Sequence, residues 1–285
     1  MSDEHNPYTV EGEAPTLRNS VVAFIDILGY QGIIRRAAGH KAEEELLSRL
    51  HSTLRELTHY LRDEDKEGKP YFEPLNGKHI FKIRTFTDNI VIGYPIQEDA
   101  ESELGSIFMK LSLFQLGMVN RGFFIRGAIS IGDLYIDDYV VFGNGLLDAY
   151  DAEQEQARDP RIVLTATAKA SVNLHLEYYR DKAWAPQVRE VYRDADGQYF
   201  LNYLDSILIA EDEHGPFYDE LLRHKRSIEE KLNEFRDEPP YWSKYAWSAN
   251  YHNFFCDQNR YFDNSHKIDL SAYQMTPGLI IEAKT

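Results

Sequence analysis

Two aspartates carry the most chemical promise in this chain. Asp26 follows the apolar residues 21–25 in VVAFIDILGY, and the turn at Gly29 leads into a helical pattern. A buried strand that ends on a carboxylate and opens into a helix can hold a hard cation beside a phosphate. The carboxylate ligates the metal, and backbone N–H groups at the helix start face the anion. Asp88 lies in HIFKIRTFTDNIVIGYPI, residues 79–96, where two β-rich runs flank Thr87-Asp88-Asn89, a hairpin signal. Two such carboxylates, brought together, suit two oxygen-liking divalent ions that clamp the attacking and leaving oxygens of a phosphoryl transfer. Zinc is not indicated: the ten histidines show no HxxxH pattern near these strands, and the one thiol is Cys256.

The surrounding pattern must position these groups. Residues 1–19 carry little hydrophobic pattern and read as a tail. Residues 33–61 show helical spacing, with Leu46, Leu47, Leu50, Leu54, Leu57 and Leu61 on one stripe, and Gly68 and Pro70 follow as stop signals. Helical spacing returns at residues 102–119. Residues 123–131 read as a strand with an antiparallel partner at 139–142, 144–156 as a helix, and 161–164 as a short strand. The order β-α-β-β-α-β, then β-α-β, predicts an α+β protein with a ferredoxin-like split βαβ core. That topology lays the first strand beside the hairpin and brings Asp26 and Asp88 to one edge. Further on, 197–209 reads as one more strand, and 217–240 as a charged helix stopped by Pro239 and Pro240. The aromatic-dense YWSKYAWSANYHNFF is expected to dock on the core or on a partner subunit. The expected organisation is a tail at 1–19, a catalytic domain at 20–210 and a C-terminal helical extension at 211–285.

Composition narrows the function classes. Among 285 residues, 43% hydrophobic and 13% aromatic content can build a sizeable core. A formal net charge of −16 argues against nucleic acid or an anionic membrane as partner. Any nucleotide site must therefore bring local cations, from metal or arginine. The polar start and the lack of a membrane-length apolar run predict a cytoplasmic protein.

Four stretches, in order, resemble the class III nucleotidyl cyclases. FIDILGY resembles their first-strand signature FxDIxGF, FKIRTFTD their KIKTIGD hairpin, AISIG their later GIHTG strand, and FGNGLLDAY their WGDxVNxA helix. The pyrimidine cyclases of Pycsar anti-phage systems are the most similar branch, with RGGISIGE, an FG…AY…E helix and a KYxWxxNYHN-like C-terminal stretch. Here these read RGAISIGDLY, FGNGLLDAYDAE and KYAWSANYHN, so the resemblance spans most of residues 20–256.

The resemblance implies a head-to-tail homodimer that uses two Mn²⁺ or Mg²⁺ ions and makes a cyclic nucleotide for a separate effector. Asp26 and Asp88 match the metal-binding aspartates, and Ile27 the backbone-carbonyl ligand. Leu28, Gly29, Tyr30 and Gln31 match the amides that hold the β- and γ-phosphates; Tyr30 could also pack on ribose or base, or in the core. Arg84 matches the base-reading residue, commonly Lys for adenine and Glu for guanine. A guanidinium only donates, so it cannot accept the guanine N1–H and N2–H₂. It can donate to uracil O4 or O2, or to cytosine N3 and O2, and cytosine would turn its N4 donor towards the fork. UTP is therefore favoured over CTP.

Departures from the family pattern matter. The transition-state Asn and Arg fall at Leu147 and Asp151, and a second base-reading position falls near the apolar Val140. Arg126 is the first candidate to replace the arginine, with Arg121 and Arg161 behind it. Asp133, Asp137 and Asp138 read as a solvated hairpin turn. Two rivals share the core: a non-catalytic nucleotide-binding module, and a diguanylate-cyclase or polymerase-palm enzyme. The second is disfavoured because no GG(D/E)EF hairpin occurs.

Overall fold

The computed structural model describes residues 6–10, 12–62, 80–209, 214–275 and 280–282. Its organising element is β1 (Arg18–Ile27), flanked on one side by the hairpin β2 (Lys82–Phe86) and β3 (Asn89–Pro95), and on the other by β4 (Ile125–Ile136). These four strands run in the order β2-β3-β1-β4, and every neighbouring pair is antiparallel. Beyond β4 the sheet continues with β6 (Ile162–Leu164), β8 (Tyr199–Leu201), β7 (Val191–Asp194) and β9 (Ile280–Glu282). β6 runs parallel to β4, so the sheet is mixed, and β5 (Val141–Phe142) folds back on the far end of β4. The protein is of the α+β class.

β1 is apolar on both faces because both are covered. Val21, Ala23 and Ile25 pack into a cluster with Leu57 and Leu61 of α2 (His40–Arg62), Leu104, Phe108 and Leu111 of α3 (Glu101–Val119), and Val172 of α5 (Ala166–Leu176). Val22 and Phe24 face Val91, Leu134 and Ala149, the last from α4 (Asn144–Gln156). Each fully buried side chain of this kind contributes roughly 1.5–3 kcal/mol.

The helix predicted over residues 33–61 is two helices. α1 (Tyr30–Arg36) ends ahead of Gly39, whose φ of +95° lies in the left-handed region, and α2 starts afresh. Leu47 leaves the buried stripe and is 65% exposed, while Leu50, Leu54, Leu57 and Leu61 remain on it. The stop signals at Gly68 and Pro70 lie outside the described residues. The strand predicted at 197–209 is correct over β8 alone. From Tyr203 to Leu208 the chain is a 3₁₀ helix that buries Tyr203, Leu204, Ile207 and Leu208, a helical period hidden inside a short apolar run.

The C-terminal prolines also act otherwise than expected. After α6 (Gln187–Glu190), α7 (Tyr218–Glu234) ends before them, and Pro239 and Pro240 open α8 (Pro239–Gln258). In the first turn of a helix the missing N–H costs nothing. The aromatic-dense stretch is the body of α8 and docks on the core. Tyr245, Tyr251 and Phe255 join Leu28, Phe124, Val163, Phe200 and Tyr203 in one cluster. Its rotation is set by polar contacts: Trp247 Nε1 donates to Asp194, and Tyr251 OH donates to Asn202 Oδ1 at 2.7 Å. Beneath α7 and α8, the buried His224 and His252 rings stack with their Nδ1 atoms 2.9 Å apart, and His224 Nε2 meets Tyr203 OH at 2.7 Å. At the other end of the chain, residues expected as a tail are held: Asn6 Nδ2 donates to Ile136 O at 2.8 Å and the buried Tyr8 to Ser20 Oγ at 2.8 Å. Among the described residues, no helix is long and apolar enough to cross a membrane.

α4 sits unusually close to the sheet. Ser130 Oγ donates to Gly145 O at 2.5 Å, and a Cβ on Gly145 would lie 2.9 Å from Val22 Cγ2 and 3.1 Å from the Gly132 backbone. A side chain at 145 must therefore lift the helix. Gly145→Val is expected to destabilise the fold by about 1–3 kcal/mol, read as a lower urea midpoint at unchanged m-value.

Candidate active site

Register delivers the first carboxylate. Asp26 is paired across β1–β3 with Asn89 and across β1–β4 with Arg126, so it sits at the mid-sheet end where three strands finish together. Its side chain is 17% exposed. Arg126 Nε donates its one hydrogen to Asp26 Oδ2 at 3.2 Å. The same nitrogen lies 2.7 Å from Glu153 Oε1 of α4, an ion contact that leaves this fully buried oxygen without a hydrogen bond. One guanidinium is thus shared by two desolvated carboxylates. Burial pushes the Asp26 carboxyl up to about 6; Arg126 opposes the shift, while Glu153 and Asp88 add to it. Glu153 is raised for the same leading reason.

The second carboxylate comes from the β2–β3 turn. Asp88 follows Thr87, whose φ of 53° is a strained value for a β-branched residue. The turn is locked to β1 because the Ile27 N–H donates to Asp88 O at 3.2 Å. The side chain accepts from Asn89 Nδ2 at 3.3 Å. Asp26 and Asp88 therefore share one sheet edge and interact electrostatically. Asp88 also borders a cavity of about 270 Å³ with Ile27, Leu54, Thr58 and Thr85.

Arg84 opens onto the other face. It lines a groove of about 470 Å³ with Phe24, Phe86, Val91, Leu147 and Tyr150. Asp138 holds it loosely at 3.9 Å and pairs more tightly with the buried Lys82 at 2.7 Å. The acidic turn is therefore not purely solvated: Asp138 ties it to β2, and Asp137 caps the turn, accepting from the Tyr139 and Val140 amides at 2.8 and 2.6 Å. Phe86, Tyr139, Val140, Phe142, Leu147 and Tyr150 leave an exposed apolar rim around this groove.

Several expected residues fall elsewhere. The Leu28 amide is taken by Phe124 O at 2.8 Å, and its side chain is buried, so it cannot hold a phosphate. Gly29, at φ +72°, and Gln31 are exposed at the start of α1, whereas Tyr30 packs on the main cluster. Arg161 is fully buried and held by Asp194 and Asp196, and Arg121 binds Glu56 at 2.6 Å on the α2–α3 side. Neither reaches the aspartates. Glu153 and Lys244, which belong to the same charge cluster, carry no separate sequence signal beyond their places in FGNGLLDAYDAE and KYAWSANYHN.

The donor set at the edge is all oxygen. Two carboxylates, one desolvated and raised, fit Mg²⁺ or Mn²⁺ of the kind held by one or two protein carboxylates with substrate phosphates completing the shell. Among the described residues, no group of three or more His, Cys, Asp or Glu is placed to hold a metal by itself. Comparison with known protein families and with curated proteins finds no match to this chain.

The raised Asp26 pKa makes a stability prediction. Its folded value of about 6 exceeds the ordinary 3.8, so its contribution is fully present below about pH 4 and is lost as pH rises through 6. Asp26→Asn removes the ionisable group. The variant is expected to gain about 2 kcal/mol over wild type at pH 7, with the difference vanishing near pH 4, as read by denaturant unfolding without divalent ions.

Proposed function

We propose that the chain is a pyrimidine nucleotide cyclase that converts UTP to 3′,5′-cyclic UMP and pyrophosphate. The observation that carries this reading is the meeting of Asp26 and Asp88 at one edge of a βαββαβ sheet, locked by the Ile27–Asp88 backbone bond. With the motif resemblance, that topology supports a class III cyclase core of the ferredoxin type. Asp26, Asp88 and the Ile27 carbonyl would hold the cations. Bound there, divalent metal would supply Lewis acidity, lowering the 3′-OH pKa and offsetting triphosphate charge. In the reaction O3′ bonds to the α-phosphorus, the bond to the bridging oxygen breaks, and pyrophosphate leaves.

Arg84 would read the base in its groove, where Phe24, Phe86 and Tyr150 offer apolar walls. Its donors suit uracil O4 or O2, and CTP is the alternative substrate. Gly29, Tyr30 and Gln31 would present their amides to the phosphates. Arg126, held at Asp26, would turn towards the α-phosphate. The exposed apolar rim supports a homodimer in which a second copy closes the groove. By the same resemblance, the product would signal to a separate cyclic-nucleotide-sensing effector in anti-phage defence, and the cell compartment would be the cytoplasm. A non-catalytic nucleotide-binding module is the second reading, favoured by Leu147 and Asp151 lying exposed where the family carries its transition-state pair.

Purified protein incubated with Mn²⁺ and each of ATP, GTP, CTP and UTP tests the reading, with products identified by mass. Cyclic UMP is expected, falling at least 100-fold in Asp26→Ala and in Asp88→Ala. Nucleotide binding without pyrophosphate release would move the conclusion to the module.

A further inference from the structure

α8 reaches the same edge as the aspartates. Tyr245 meets Phe124 edge to face, with ring centroids 4.9 Å apart, and the Phe124 carbonyl holds the Leu28 amide at 2.8 Å. The end of β1, the start of β4 and α8 are thereby joined at one point. The residue before Tyr245 is Lys244. It lies one helical turn ahead of Trp247 and the fully buried Ser248, on the side that α8 turns to the sheet. Trp247 bound to Asp194 fixes that rotation.

Lys244 is half-buried, and among the described residues no carboxylate lies within 4 Å of its ammonium. Several other lysines have a carboxylate partner: Lys82 has Asp138, Lys182 has Glu177, Lys231 has Glu234 and Lys267 has Asp257. The charges that face Lys244 are Arg126 on β4, Arg158 and Asp159 after α4, and Asp26 on β1, with Glu153 of α4 also in its field. Each carboxylate is engaged elsewhere: Asp159 by Arg158 at 3.3 Å, and Asp26 and Glu153 by Arg126 at 3.2 and 2.7 Å. A half-buried cation without an ion-pair partner beside a metal-suited edge is what an incoming polyanion would satisfy.

We infer that Lys244 binds the polyphosphate of the substrate, taking the charge of the leaving pyrophosphate; this rests on the cyclase reading above. As the bridging bond breaks, the electron pair stays on pyrophosphate and the 3′-OH proton passes to solvent. Lys244, a compact point charge on a long stem, offsets the charge that accumulates there. The C-terminal helix thereby supplies a cation that Leu147 and Asp151 cannot.

The test uses the full chain with Lys244→Met, which keeps the packed stem, and Lys244→Arg, which keeps the charge. Calorimetry measures Mn²⁺-dependent binding of inorganic tripolyphosphate, and kinetics measure turnover of the preferred nucleotide. Tripolyphosphate affinity and kcat/KM are each expected to fall about 10–100-fold in the Met variant and to recover at least partly in the Arg variant. Tm and the choice among four nucleotides should stay unchanged, which a merely structural lysine would not produce. Unchanged affinity and turnover in Lys244→Met would overturn the Lys244 assignment and leave the cyclase reading standing. A wild type that makes no cyclic nucleotide yet binds tripolyphosphate through Lys244 would overturn the cyclase reading and keep the phosphate site. Absence of tripolyphosphate binding by wild type, or an equal loss of Tm and binding in both variants, would also overturn the assignment.

Discussion

The constraint on which the rest depends is the burial of an acid at the end of the central strand. β1 is covered on both faces, so Asp26 at its end is largely desolvated, with 17% of its side chain exposed. Its charge is answered by Arg126 alone among the ion pairs of the described residues, and Arg126 is shared with Glu153. The balance is incomplete, which is why burial outweighs the arginine and raises the Asp26 pKa. The strain is of the kind that functional sites retain.

Much of the architecture serves that edge. Gly132 and Gly145 allow α4 to lie against β4, and this closeness carries Glu153 beneath Arg126. The Ile27–Asp88 bond pins a strained turn to the end of β1. α8 closes the remaining side through Tyr245 on Phe124. The carboxy-terminal helices are therefore part of the cluster that supports the site, since Leu28 and Phe124 share it with Tyr251 and Phe255. On the opposite face, Asp138 pairs with Lys82 and lies 3.9 Å from Arg84, so the β4–β5 turn helps set where Arg84 stands in the groove.

Legibility in the sequence followed the strength of the local signal. The Asn144–Gln156 helix, the Asp88 turn and the strand ending at Asp26 were readable, because periodicity and turn chemistry are local properties. The break at Gly39 was not, since the leucine spacing runs on across it. The Tyr203–Leu208 turn looked like a strand because a short apolar run does not reveal its period. Pro239 and Pro240 read in the sequence as stops, yet proline suits both the end of one helix and the first turn of the next.

By itself the sequence determined the α+β class and the two carboxylates at a strand end and a hairpin turn, since strand pattern and turn chemistry are written residue by residue. Tertiary structure decided which charges meet. It took Arg161 and Arg121 out of consideration by engaging them in other ion pairs, Arg161 in the interior and Arg121 at the surface, and withdrew the Leu28 amide. It set Glu153 against Arg126 from 27 positions away, and brought Lys244 from a distant helix to the same edge. Proximity between residues far apart in the chain depends on register and helix rotation, which no single stretch of sequence encodes.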